Sequence, residues 1–368
     1  MQFTNKITSF LQHPSIIQTD TFNMTDSDTT LPPTMKAWVY SNISGGLENH
    51  LTFNATANAP GSLQRGQVLI QVISASLNPA DYKVPEMGAG NLVKVFLSTP
   101  ASPGMDFCGR VAAVGPGAGT GDNAKLGKLV YGSLGIPSQF GSLGEYIVAK
   151  MSDIAEVPEG VQPDHAAAVG VAGQTAYQSI VPYVKDGDRV FVNGGSGGCG
   201  IFVIQIAKVL GCHVTTTCST RNVQFCKDLG ADEVIDYTQE DVLEVLKEKG
   251  QVYSHAIDHI GSPESLYRQS HTFLLPGKAF VQVGAASMLT FAHRLVRPSF
   301  FGGGKRRYDI LMFKNNRDHL MQLGEWIQQG KIKVAIDSVF EYEQPVEAFK
   351  KLRSGRARGK IIVHVSEP

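Results

Sequence analysis

Five glycines, Gly194, Gly195, Gly197, Gly198 and Gly200, crowd into seven residues. Before them lies a β-rich run, Arg189–Asn193, and after them a helical pattern carried by Ile201, Phe202, Ile204, Gln205 and Lys208. Strand, glycine turn and helix in that order suit a dinucleotide: residues without side chains let the backbone approach a pyrophosphate, whose charge the free N–H groups of the helix N-terminus then meet. Gly195, Ser196, Gly197, Gly198, Cys199 and Gly200 are the candidate contacts, and a plain tight strand–helix connection is the competing reading. Cys199 is either a small filler in that turn or a thiol made redox-sensitive by the helix N-terminus.

The next β-like run, His213–Cys218, ends in Ser219, Thr220 and Arg221, with no acid before Asp228. An NAD site usually places Asp or Glu there for the ribose 2′-hydroxyl, whereas a 2′-phosphate requires a cation and no acid. The pattern therefore points to NADPH, with Ser219 and Arg221 as phosphate ligands. Alternatively, Ser219 is only an N-cap and Arg221 a solvated first-turn residue.

These residues need a scaffold, and the chain supplies two textures. Short β-like runs over 36–40, 67–74, 110–114, 128–132 and 145–149, divided by Gly and Pro, predict a compact β-barrel-like domain. An Ala-rich helix is expected over 165–182, followed by βα alternation with strands at 233–236, 255–260 and 278–283. That alternation predicts a doubly wound parallel sheet with the cofactor across the carboxyl ends of its strands. A helix at 316–329, a strand at 334–340, a helix at 345–354 and a strand at 360–365 are expected to pack back on the first domain.

With 368 residues, 42% hydrophobic and 18% charged, the chain is long enough for two cores. A formal net charge of zero argues against nucleic acid as a partner. Apolar runs fall short of a membrane span. Five cysteines without a CxxC pair suit free thiols in a reducing compartment, which predicts a cytoplasmic protein. Residues 1–34, polar and Thr/Ser-rich, are expected to be a disordered extension. A mitochondrial presequence is the alternative, although Lys6 is its one basic residue.

The stretches SLNPADYK (76–83), PGMDFCGRVAAVG (103–115), GSLGEY (141–146), GQTAYQSI (173–180), GGSGGCG (194–200), LGADEVIDY (229–237) and RARGKIIV (356–363) together resemble the medium-chain dehydrogenase/reductase superfamily. The likeness runs over about residues 35–365 and is to the zinc-free quinone oxidoreductase branch. It implies a GroES-like catalytic domain over 35–163 and 304–368, split around a Rossmann NADPH-binding domain over 164–303. The implied reaction is zinc-independent, NADPH-dependent reduction of the activated C=C bond of an α,β-unsaturated carbonyl compound or a quinone. An enoyl reductase of a specialised-metabolite pathway and a non-catalytic NADPH-sensing protein are the rivals.

By the same resemblance, Asn78, Tyr82 and Lys83 are the candidates to polarise a substrate carbonyl or hold the nicotinamide ribose. Asp81 is expected as a loop anchor, with packing for Tyr82 and an exposed loop cation for Lys83 as alternatives. Thr175, Val283 and Gly284 belong near the nicotinamide, Tyr237 beside the adenosine phosphate, and Lys360 near the cofactor. Catalytic zinc would need Cys and His where this chain has Asn78 and Met105, so no metal is expected. His255 and His259 flank Asp258 at i,i+4 and are expected to be structural, with a proton relay as the alternative. The Lys305-Arg306-Arg307 run reads as a solvated loop or as a peripheral contact for acidic lipid. A homodimer is in keeping with the family.

Overall fold

The computed structural model describes residues 32–87, 98–116, 125–283 and 304–367. Nearly all of the expected N-terminal extension, together with Gly284, lies outside them. Among the described residues no helix is long and apolar enough to cross a membrane.

Strand β1 (Thr34–Val39) pairs antiparallel with β2 (Thr52–Asn58). β3 (Gln67–Leu77) is eleven residues long and buried along most of its length. Its apolar run suits the middle of a sheet, and it pairs with β4 (Asp106–Val114), β6 (Tyr146–Lys150) and β15 (Lys360–His364). With β5 (Leu129–Ser133), β7 (Ile154–Glu156) and β14 (Ile336–Phe340) it makes a seven-stranded sheet in the order β14-β15-β3-β4-β5-β7, with β6 on β3. The C-terminal strands thus close the first domain, as expected.

A second sheet is parallel throughout. β8 (Arg189–Asn193), β9 (His213–Cys218), β10 (Glu233–Asp236), β11 (His255–Asp258), β12 (Ala279–Gln282) and β13 (Arg307–Ile310) lie in the order β10-β9-β8-β11-β12-β13. Numbered from β8, this is the 3-2-1-4-5-6 order of a dinucleotide-binding fold, whose strand order reverses between β8 and β11. β13 lies beyond residue 304, so the parallel sheet takes in residues that sequence reading assigns to the catalytic domain. The helix expected over 165–182 is two helices, Pro163–Ala167 and Gly170–Ile180. At Gly170 a Cβ would come within 2.3 Å of the Asp106 carboxylate, so only glycine lets the second helix begin there.

Helix Gly200–Val209 packs between the sheet and the neighbouring helix and buries every residue from Gly200 to Ala207. Its Gln205 clasps the backbone of Lys333 through Nε2 to O at 2.9 Å and N to Oε1 at 2.7 Å, tying the tail to the nucleotide fold.

Candidate active site and dinucleotide cleft

The cleft begins at the switch point. Asn193 Nδ2, at the end of β8, donates to Asp258 Oδ1 at the end of β11 (2.8 Å) and to the Ser262 carbonyl (3.0 Å). Asp258 Oδ1 also accepts the N–H groups of Ile260 and Gly261, while Asn193 Oδ1 accepts Thr217 Oγ1 at 2.7 Å. Three strand ends are therefore locked by buried, mutually satisfied polar groups, which fixes the floor on which a ligand would lie.

The glycine turn is built for close approach. Gly194 has φ +95°, and its N–H donates to Thr217 Oγ1. A Cβ on Gly195 would sit 2.2 Å from Thr216 Oγ1, and one on Gly200 2.2 Å from the Gly194 carbonyl oxygen. At Gly197 the nearest atom is 3.8 Å away, so that glycine leaves open space above the turn rather than tight packing beneath it. The N–H groups of Ser196, Gly198 and Cys199 have no acceptor among the described residues. Burial pushes the Cys199 thiol up to about 11, against the Lys360 ammonium, which corrects the idea of a thiol activated by the helix N-terminus.

At the adenosine end a cavity of about 530 Å³ is lined by Ser219, Arg221, Tyr237, Ile260 and Arg356, among others. Ser219 is the N-cap of a 3-10 turn but makes no capping bond, so its hydroxyl is not spent on the helix. Arg221 is exposed and donates to the Arg356 carbonyl at 3.4 Å, and the Tyr237 ring is 57% exposed over the same cavity. Of the carboxylates nearby, Asp241 caps helix Val242–Lys249, Thr220 and Thr238 hold Asp236 below the usual range, and Glu240 lines the cavity from its exposed rim. Arg356 lies between helix Pro345–Arg353 and β15 and was not singled out in sequence; its position inside the RARGK charge cluster was the available signal.

At the other end the two domains meet in a buried charge cluster. Lys360, 3% exposed, donates to Asn78 Oδ1 at 2.5 Å and to the Leu77 carbonyl at 3.0 Å, and lies 3.6 Å from Asp106 Oδ2. Asn78 Nδ2 donates to Asp106 Oδ2 at 2.7 Å, and Asp106 Oδ1 accepts Val171 N at the start of helix Gly170–Ile180. Burial raises the Asp106 carboxyl, opposed by Lys360 and by hydrogen bonds from Asn78, Val171 and Ser133. Asp81 Oδ2 accepts the Asn78 N–H at 2.7 Å, and burial lifts Asp81 to about 8. Gly359 N donates to the Ser196 carbonyl, and the Lys360 stem lies 3.3 Å from where a Gly198 Cβ would be. One short segment thus touches both the glycine turn and Asn78. Asp106 was legible as a charge inside an apolar run, yet sequence reading passed over it.

Other expected residues are dispersed. The Tyr82 ring lies under the Arg353 guanidinium, 4.1 Å from its centroid, and Arg353 also pairs with Glu48 and Glu86. Lys83 is exposed on helix Pro79–Met87 and does not join the cluster. Thr175 is 4% exposed, and its Oγ1 has no partner among the described residues. Val283 is half-buried, its N–H donating to the Asp258 carbonyl at 2.9 Å. His255 and His259 part company: His255 meets the Ser179 carbonyl at 2.7 Å and stacks on Tyr183, whereas both His259 ring nitrogens are shielded without a partner among the described residues.

A barrel-like domain packed on a doubly wound sheet, with a glycine turn at the switch point, defines a two-domain nucleotide-binding oxidoreductase. Family models described as an alcohol dehydrogenase GroES-like domain and a zinc-binding dehydrogenase match residues 64–159 and 229–363. A trans-enoyl reductase of Aspergillus terreus, pgmF, is 45% identical over 92% of this chain and 98% of its own. A chloroplastic NADPH-dependent alkenal/one oxidoreductase of Arabidopsis thaliana is 31% identical over 92% and 81%. The solved quinone oxidoreductase of Coxiella burnetii superposes with a TM-score of 0.77 at 32% identity, covering 90% of this chain and 99% of that one. The chain belongs to the medium-chain dehydrogenase/reductase superfamily and is an oxidoreductase.

Proposed function

We propose that this oxidoreductase uses NADPH, without zinc, to reduce the activated C=C bond of α,β-unsaturated carbonyl compounds or quinones. The adenosine-end cavity carries the cofactor part of this reading: Ser219 and Arg221 at the end of β9, Tyr237 and the crossing Arg356 offer donors and cations where a ribose 2′-phosphate would lie. Ser196, Gly198 and Cys199 offer free N–H groups to the pyrophosphate. Thr175 and Val283 are the residues proposed at the nicotinamide end, with Gly284.

Zinc does not fit the donor set. Asn78 spends its amide on Lys360 and Asp106, Met105 is 2% exposed, and Cys108 faces the core, where burial holds its thiol well above the usual range. Carbonyl reduction without a Lewis acid is harder than conjugate addition, in which negative charge spreads onto an enolate. Bound NADPH would supply hydride to the β-carbon, and solvent or an acid not yet assigned would supply the proton. Lys360 and Asp106 fix the amide of Asn78, while Tyr82 is held by Arg353 and serves to position helix Pro79–Met87.

The names of the similar proteins, a trans-enoyl reductase and an alkenal/one oxidoreductase, support this reaction class. At 45% identity the first of them, a trans-enoyl reductase by name, favours an enoyl compound as the substrate. NADPH oxidation by the purified chain with a 2-alkenal, a medium-chain enone and a small quinone tests the reading. Turnover unaffected by a chelator supports it, and activity that needs stoichiometric zinc overturns the metal-free mechanism.

A further inference from the structure

Two of the five free thiols, Cys218 and Cys226, have no part in the scheme above. Cys218 ends β9, and Cys226 lies on helix Val223–Asp228, which packs back on that strand. Their side chains are hydrogen-bonded to each other inside one apolar core. Residues 219–225 lie between them, and that stretch carries Ser219 and Arg221.

The pair is not sealed off. Cys218 lines the adenosine-end cavity of about 530 Å³, so a solute small enough to enter meets its side chain, with the fully buried Cys226 behind it. The hydrogen bond from Cys226 holds the Cys218 thiol below its usual value, against burial and Asp236. Cys108, Cys199 and Cys212 are raised by burial, and Cys226 first by the bond it makes to Cys218. A lowered thiol that faces a cavity and is backed by a second thiol is an attacking group with its resolving partner in place. The backbone around the pair is tied to the ligand end. The Cys218 carbonyl accepts the Tyr237 N–H at 3.1 Å, Asn222 N donates to the Ser219 carbonyl at 2.8 Å, and Asn222 Nδ2 donates to Ser196 Oγ at 3.1 Å in the glycine turn. Bonded sulfurs stand closer than hydrogen-bonded thiols, so joining Cys218 to Cys226 draws strand end and helix together and shifts the turn between them.

We propose that Cys218 and Cys226 form a dithiol that hydrogen peroxide oxidises to a disulfide, and that the disulfide weakens NADPH binding at the adenosine-end cavity. The second half rests on the NADPH reading above. The Cys218 sulfur attacks one peroxide oxygen, the O–O bond breaks, and the other oxygen leaves as water with the thiol proton, which makes Cys218 a sulfenic acid. The Cys226 sulfur then attacks the Cys218 sulfur. The S–S bond forms, the S–O bond breaks, and the second water carries off the Cys226 proton. Two thiols lose two electrons in all, and one hydrogen peroxide becomes two waters.

The test treats the reduced full chain with hydrogen peroxide, maps the cysteines by peptide mass spectrometry, and titrates NADPH by fluorescence before and after. A Cys218–Cys226 cross-link lacking two hydrogens is expected, and saturating NADPH added beforehand should slow its formation by covering the cavity. NADPH affinity should fall by roughly tenfold or more, the scale of one displaced charge-assisted hydrogen bond, and return with dithiothreitol. Cys226→Ser is expected to stop at a Cys218 sulfenic acid that dimedone traps. Cys218→Ala is expected to bind NADPH equally before and after peroxide, and it carries the test should Cys226→Ser not fold. Intact Cys218 and Cys226 thiols after other cysteines have oxidised, or a cross-link that leaves NADPH affinity unchanged, overturns the proposal. Failure of the reduced chain to bind NADPH would instead strike the cofactor reading, and the cross-link map would then decide the dithiol by itself.

Discussion

Lys360, the first residue of the last strand, donates to Asn78, the residue that follows β3, at 2.5 Å, although 282 residues separate them. The bond joins the end of β3 to the start of β15 beside the glycine turn and holds Asp106 in the same buried cluster. Removing the ammonium leaves that carboxylate buried without its counter-ion. Lys360→Met is therefore expected to lower unfolding stability by roughly 3–5 kcal/mol, measured by urea denaturation at neutral pH. The double variant Lys360→Met/Asp106→Asn should regain a large part of that loss, whereas additive losses would show that the pair is not coupled.

Cofactor preference should turn on Arg221. Arg221→Ala would remove the proposed charge-assisted contact to the 2′-phosphate, so KM for NADPH should rise roughly 10- to 100-fold while KM for NADH changes little. Steady-state kinetics with both cofactors checks this. An unchanged NADPH/NADH ratio would move the phosphate site elsewhere.

The glycines of the turn divide by what surrounds them. Gly200→Ala drives a Cβ to 2.2 Å from the Gly194 carbonyl oxygen and should lower Tm together with cofactor affinity. Gly197→Ala meets no atom closer than 3.8 Å and should melt as the parent does, yet bind NADPH more weakly because the methyl group intrudes on the backbone's approach to the pyrophosphate. Thermal melts and fluorescence titrations of the two variants separate packing from ligand contact.

Asp81 gives stability a pH dependence of predictable sign. Its folded-state pKa of about 8 lies above the unfolded carboxyl value, so between about pH 4 and 8 the native state binds one more proton than the unfolded state. Stability from this group is complete below about pH 4 and is lost as pH rises through 8, at about 1.4 kcal/mol per pH unit for one proton. Asp81→Asn should flatten the slope by that one proton when unfolding free energies are compared across pH 5 to 8.

How much of this was legible in the sequence depended on distance along the chain. The strand–glycine–helix unit, the run ending in Ser219 and Arg221, and the strands at 233–236 and 255–258 are local patterns, and periodicity with turn chemistry exposes them. The break before Gly170 was not legible, because it depends on an Asp106 carboxylate from another strand. Nor was the fate of Tyr82, whose ring is claimed by Arg353 from the C-terminal helix. His255 and His259 read alike in sequence and differ only in what the neighbouring helix offers each of them.

Isotope transfer tests the central claim most directly. Incubating the purified chain with NADPH deuterated at the transferable C4 position and a medium-chain enone, then locating the label by mass spectrometry and NMR, reads the site of reduction. The account predicts a saturated ketone carrying deuterium on the former β-carbon, with chelator present or absent. An allylic alcohol with deuterium on the carbinol carbon, or turnover that disappears with the chelator, would contradict it.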